Sequence, residues 1–170
     1  IGAIDKNGSE VIPFQYEDYS FFSEGKAFVQ KNGKWGIIDK KNNELVPFEY
    51  DCFGNFSDSR AILKKDSNKN EHFWLIDESC SIIKEFTFDY VANAYCEEKA
   101  IVATNGKYGF IDLDGNIVID LQFDDADSFS EGLAVVQAGK RCGAIDVEGN
   151  LAISASFLFL DDFAADGLAC

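Results

Sequence analysis

Five aspartates, each preceded by isoleucine, stand at Asp5, Asp39, Asp77, Asp112 and Asp146. Two carboxylates in different environments can divide the roles of general acid and general base, and several in one loop can hold calcium. The stretch "DLDGN" at 112–116 begins like a calcium loop, but it has no third carboxylate in phase and no closing Glu. His72 is the only histidine, so any Ser/His or Cys/His dyad would have to use it. Cysteines stand at 52, 80, 96, 142 and 170 with no C-x-x-C spacing, and with one histidine they make no ordinary zinc set. The glycines are spaced for turns, and no helical pattern follows any of them as a phosphate cradle requires. No catalytic residue, metal ligand or cofactor is expected.

Catalysis needs a unique constellation, whereas the Ile-Asp pair is a repeated one. Its steps are 34, 38, 35 and 34 residues. Two positions before the Ile come Gly2, Gly36, Trp74, Gly109 and Gly143. Eleven after the Asp comes a ring every time: Tyr16, Tyr50, Phe88, Phe123 and Phe157. Seventeen after it come Phe22, Phe56, Ala94, Phe129 and Phe163. A period of this size marks a tandem-repeat protein. An Asp in the same slot five times is a turn former that accepts bonds from backbone donors.

The elements around these slots read as strands. In "KWGIID", Trp35, Ile37 and Asp39 alternate with Gly36 and Ile38, and apolar groups on both faces predict a strand covered on both sides. Asn32-Gly33 and Asn105-Gly106 are type I′ hairpin signals, since both residues of that turn need positive φ. "DKNG", "DLDG" and "DVEG" suit a second turn of type I. A third strand follows as "EVIPF" and "ELVPF", with Pro13 and Pro47 expected to end its ladder. The rest of each copy, such as "EYDCFGNFSDSR", reads as an irregular return loop. The fold class is all-β: three-stranded antiparallel meanders of about 34 residues, stacked in a curved open array, with β-propeller-like closure as the alternative. Residues 1–170 are expected to form one array of about five copies.

Composition bounds the partners. The net charge is −15; the first 85 residues carry 11 Lys/Arg against 15 Asp/Glu, and the last 85 carry 4 against 15. Such a surface repels phosphate backbones and anionic lipid, so neither nucleic acid nor membrane is an expected partner. The apolar runs fall far short of a membrane helix. Unpaired cysteines point to a reducing, cytoplasmic compartment. There is no Met, Ile1 enters in mid-strand, and Ala169 and Cys170 stop where a strand would begin, so a longer parent chain is expected.

"GKWGIID", "LVPFEYD" and "FSEGLAVV" together resemble the WG beta repeats of bacterial proteins. The third copy departs from that pattern, with Trp74 in the Gly slot and Cys80 in the turn-Gly slot. The resemblance implies a tandem-repeat interaction module with no shared catalytic residues.

Residues that break the repeat are the candidate partner contacts: Trp74, Tyr95 beside Ala94, and His72 in the polar stretch "KKDSNKNEH" that makes the 38-residue step. A non-enzymatic scaffold for protein–protein interaction is the expected function. A glycan or small-ligand binder using exposed rings is the alternative, and a hydrolase comes last.

Overall fold

The computed structural model describes residues 1–67 and 70–158, all of them in strands, turns or connections and none in a helix. Phe163, Ala169 and Cys170 lie outside the described residues. The chain forms two compact units, 1–87 and 88–170.

In the first unit, β1 (Ala3–Ile4) and β2 (Glu10–Ile12) pair as a two-stranded sheet. The next sheet is β3 (Asp18–Tyr19), β4 (Lys26–Lys31), β5 (Lys34–Asp39) and β6 (Glu44–Tyr50), side by side in chain order. It is followed by β7 (Cys52–Phe53), β8 (Arg60–Ser67), β9 (Asn70–Asp77) and β10 (Ile82–Phe86). The second unit repeats this order twice. One sheet is β11 (Tyr90–Val91), β12 (Ala100–Thr104), β13 (Lys107–Ile111) and β14 (Ile117–Phe123). The other is β15 (Asp125–Ala126), β16 (Leu133–Ala138), β17 (Arg141–Asp146) and β18 (Leu151–Phe157). All pairings are antiparallel.

In the four four-stranded sheets the three expected strands are present, and the return loop adds a fourth of two residues. In the third sheet, for example, Cys52 and Phe53 pair with Lys64 and Leu63 before the chain leaves the sheet. A two-residue turn then leads into the next long strand. Glu24 and Gly25 have φ of 49° and 80°, and Glu131 and Gly132 have 54° and 79°, the left-handed pair a tight hairpin needs. Here the Ser-Glu-Gly signature is the turn itself.

The β4–β5 and β12–β13 hairpins turn at Asn32-Gly33 and Asn105-Gly106, with all four φ angles between 53° and 72°. Pro47 sits inside β6 rather than ending it. It falls between Val46, opposite Ile37, and Tyr50, opposite Trp35, where the ladder bulges and no donor is required.

Two departures from the sequence reading concern the third sheet. The stretch "KKDSNKNEH" is not a loop. It lengthens the hairpin, pairing Lys65 with His72 and Asp66 with Glu71, while Asn68 and Lys69 lie outside the described residues. The outer strand also differs. Phe86, not Phe88, pairs with Phe73 in the way Tyr50 pairs with Trp35. β10 reaches that point in fewer residues, so Phe86 is buried and Phe88 only partly so.

The core lies between neighbouring sheets within each unit. Phe28, Ile37, Tyr50, Phe56, Leu63 and Ile76 form one cluster of the first unit, and Ile101, Phe110, Phe123, Phe129, Val136 and Ile145 belong to the main cluster of the second. Each such side chain contributes about 1.5–3 kcal/mol on full burial. Among the isoleucines before the turn Asp, Ile38, Ile76, Ile111 and Ile145 are at most 1% exposed, whereas Ile4 is 59% exposed. Phe157 is likewise exposed, unlike Tyr16, Tyr50 and Phe123 in its slot. Among the described residues no helix is long and apolar enough to cross a membrane.

Candidate functional site

The five recurring aspartates hold the turns they begin. Asp39 Oδ1 accepts the backbone N–H groups of Lys41 and Asn43 at 2.8 Å each, and its Oδ2 accepts from the Asn43 amide at 2.7 Å. Asp5, Asp77, Asp112 and Asp146 bond in the same way to the residues two and four positions on. The Asn43 side-chain and backbone bonds hold the Asp39 carboxyl below its ordinary range, and the Ser9 and Asn7 amides do the same for Asp5. The residue three after the Asp takes positive φ in every copy, including Cys80 at 64°.

A second carboxylate series caps the following hairpin. Glu17 accepts the N–H groups of Asn32 and Gly33 at 2.9 Å each, Asp89 that of Asn105 at 2.7 Å, and Asp124 that of Gly139 at 2.6 Å. Asp51 accepts the Asp66 N–H at 3.0 Å and also pairs with Lys34. The Lys34 and Lys107 ammonium groups hold Asp51 and Asp124 below the usual carboxylate range. A third series crosses between copies: Glu97 accepts the Gly132 N–H, 35 residues on, at 3.0 Å. These acids are fixed by backbone donors. Among the described residues no three His, Cys, Asp or Glu side chains are grouped to hold a metal ion. Among the described residues, Cys52, Cys80, Cys96 and Cys142 are outside any disulfide.

His72 and Trp74 come together and Tyr95 does not join them. His72 and Trp74 project from the same face of β9, with ring centroids 6.0 Å apart and planes 24° apart. His72 Nδ1 lies 3.1 Å from the Glu85 carboxylate of β10, the strand opposite Trp74. Tyr50 meets Trp74 edge-on at 5.6 Å. Lys65, opposite His72, pairs with Glu49 at 3.2 Å on this face, while the Lys64–Glu71 pair at 2.7 Å lies on the other face of the third sheet. The result is a half-exposed surface of mixed aromatic and charged groups.

Trp74 is allowed where other copies have glycine because the neighbouring strand follows a different path. A Cβ on Gly36 would meet the Val46 carbonyl oxygen at 2.7 Å, and one on Gly109 the Ile119 oxygen at 2.5 Å. In both sheets a wide bulge of the outer strand brings that oxygen over the glycine. Opposite Trp74 the pairing is regular, Glu85 to Trp74 and Lys84 to Leu75, so a side chain has room.

Tyr95 is 2% exposed and is a core ring, not an outward anchor. Its copy carries one extra residue after the short strand. The bridge that closes the turn is Cys96 to Lys99 here and Ser57 to Arg60 in the copy before, which puts Tyr95, not Ala94, in the slot of Phe56 and Phe129. Its hydroxyl donates to the Asp112 carbonyl oxygen at 3.1 Å. Sequence reasoning missed the Glu85 partner of His72 because strand register across β9 and β10 is not visible in a one-chain pattern.

Repeated four-stranded antiparallel sheets of one sequence pattern define an all-β tandem-repeat protein. The chain belongs to the family described as "WG containing repeat", whose profile matches residues 1–35, 35–68 and 108–142, more than half of its length. No curated protein matches it. Among solved structures it is similar to a eukaryotic initiation factor, with 11% identity over 86% of this chain and 45% of that one at a TM-score of 0.56. It is also similar to the AfRom2 CNH domain, with 10% identity over 93% of this chain and 66% of that one at 0.51. The Neurospora crassa Pan2 WD40 domain matches more loosely, with 13% identity over 82% of this chain and 52% of that one at 0.42. The chain thus spans about half to two thirds of these structures. The likeness to the initiation factor and the CNH domain is one of fold.

Proposed function

We propose that the chain is a non-enzymatic repeat scaffold that binds a protein partner, with the His72–Trp74–Glu85 face of the third sheet as the contact. The observation that carries this reading is the division of labour among its residues. Carboxylates that recur in every copy cap turns, while the side chains that break the pattern sit half-exposed on β9 and β10. An aromatic anchor ringed by charged groups is the composition of a protein-binding hot spot. The glycan reading asks for an open ring face, and His72 and Tyr50 both lie against Trp74.

The test uses parent protein and Trp74→Ala as immobilised baits in a lysate of the source cells. At least one protein held by the parent should be lost from the variant. In parallel, parent and His72→Ala enter a hydrolase and transferase screen. An activity in the parent that vanishes in His72→Ala would overturn the scaffold reading, since removing a general base costs about 10²–10⁴-fold in rate.

A further inference from the structure

Three Asn-Gly pairs occur in the chain, at Asn7-Gly8, Asn32-Gly33 and Asn105-Gly106. In such a pair the glycine nitrogen, with no Cβ beside it, can attack the side-chain carbonyl carbon of the asparagine. In a folded chain the rate depends on whether that nitrogen is free to move.

The two hairpin turns make a matched comparison. Both read Asn-Gly-Lys, as Asn32-Gly33-Lys34 and Asn105-Gly106-Lys107. The asparagines share a φ of 53°, and the glycines stand at 72° and 70°. Both pairs are exposed. They differ in the carboxylate that caps them. Glu17 spans its turn: Oε1 accepts the Asn32 N–H and Oε2 the Gly33 N–H, each at 2.9 Å. The Asp89 side chain is shorter by a methylene, and its Oδ2 accepts the Asn105 N–H at 2.7 Å. Among the described residues no group accepts the Gly106 N–H. In the remaining pair the Gly8 N–H donates to the Asp5 carbonyl oxygen at 3.0 Å.

A charge-assisted bond fixes the peptide plane that must turn for attack. A carboxylate at the nitrogen also opposes the negative charge that builds there as its proton leaves. Gly33 carries both restraints through Glu17.

We infer that Asn105 is a site of spontaneous deamidation by the Gly106 nitrogen, a modification from which Glu17 protects Asn32. A bond forms between Gly106 N and Asn105 Cγ. The Cγ–Nδ2 bond breaks, and the departing nitrogen takes the Gly106 proton and leaves as ammonia. Water then opens the cyclic imide. Opening at Cγ gives aspartate in an unaltered main chain. Opening at the Asn105 main-chain carbonyl gives isoaspartate, whose main chain runs through the side-chain methylene. Either product sets a new carboxylate next to Asp89, where like charges repel. Isoaspartate also lengthens a turn that holds Thr104 opposite Lys107. The modification therefore loosens the β12–β13 hairpin.

The experiment incubates the intact chain in mildly alkaline buffer and follows the replacement of amide by acid at each asparagine by peptide mass spectrometry. Asn105 should convert about tenfold or more faster than Asn32, the effect of a charge-assisted bond on the barrier. In urea the two rates should converge, since the local sequences match. The caps are then exchanged: Asp89→Glu should slow Asn105, and Glu17→Asp should speed Asn32. The separated isoaspartate product should exchange its Lys107 amide faster than the parent does, and an unchanged amide would remove the effect on the hairpin. Equal native rates would overturn the inference. A faster Asn32 would do so by showing that Glu17 acts as a base. A difference that persists in urea, or that neither exchange of caps alters, would count against it equally.

Discussion

The Tyr95 hydroxyl donates to the main-chain oxygen of Asp112, tying the ring that ends one return segment to the turn that begins the next copy. With the ring closed off from solvent, Tyr95→Phe should lower stability by about 0.5–1.5 kcal/mol and Tyr95→Ala by about 3–5 kcal/mol. A surface tyrosine would cost less than about 0.5 kcal/mol. Urea denaturation of the two variants separates the cases, and an unchanged midpoint for Tyr95→Ala contradicts its core placement.

Gly109 and Trp74 share a slot and should respond to alanine for different reasons. Gly109→Ala drives a methyl into the Ile119 and Asp120 backbone, which costs about 1–3 kcal/mol through strain. Trp74→Ala meets no such contact and loses only the packing of a half-buried ring. A crystal structure of Gly109→Ala should show β14 shifted away from β13; an unshifted strand with an unchanged midpoint removes the crowding argument.

Acid should loosen the turns. The bonds from Asn43 and its backbone depress the folded pKa of Asp39, so this carboxylate contributes stability that is fully present above the ordinary carboxylate pKa of about 3.9 and is lost as pH falls through the lower folded value. The denaturation midpoint should therefore decline as pH is lowered from 5 toward 2. Asp39→Asn should be less stable than the parent at pH 7, with a shallower decline. Parallel curves for the two proteins would show that Asp39 makes no such contribution.

The thiols should separate by reactivity. Cys52 is exposed, whereas burial pushes the Cys80 thiol up and its side chain packs against the first-unit core. Since thiolate is the reactive form, iodoacetamide at pH 8 should label Cys52 well before Cys80 in the folded protein, and the difference should disappear in urea. Peptide mass spectrometry reads both sites, and equal native rates would sink the assignment.

The repeat period, the three long strands and both main turn types were legible because each rests on a local rule. Asn-Gly requires a left-handed pair, Asp with Gly three later requires a type I turn, and alternation sets the faces. The two-residue strands were not legible, since pairs such as Cys52-Phe53 carry no period of their own. Counting from Asp77 misassigned Phe88 and Tyr95, because the third copy reaches its outer-strand ring two residues early, regains two before the short strand and adds one after it. These changes leave only one extra residue in the overall step of 35 and surface only in the pairing register. His72 read as a loop residue because "KKDSNKNEH" is polar, yet cross-strand pairs such as Lys65 with His72 keep a polar hairpin in register.

Each four-stranded sheet is built from two sequence copies. Its short strand and first long strand, and the strand paired to that one, precede the turn Asp, while its outer strand follows it. The boundary of the genetic unit therefore falls inside the folded unit. Excising residues 112–145 would join Ile111 to Asp146, and β18 would take the place of β14 beside β13 as the outer strand of an intact four-stranded sheet. Recombination between equivalent turns changes the number of copies without leaving a half-built sheet at the junction, so arrays of this kind can lengthen or shorten in evolution one whole repeat at a time.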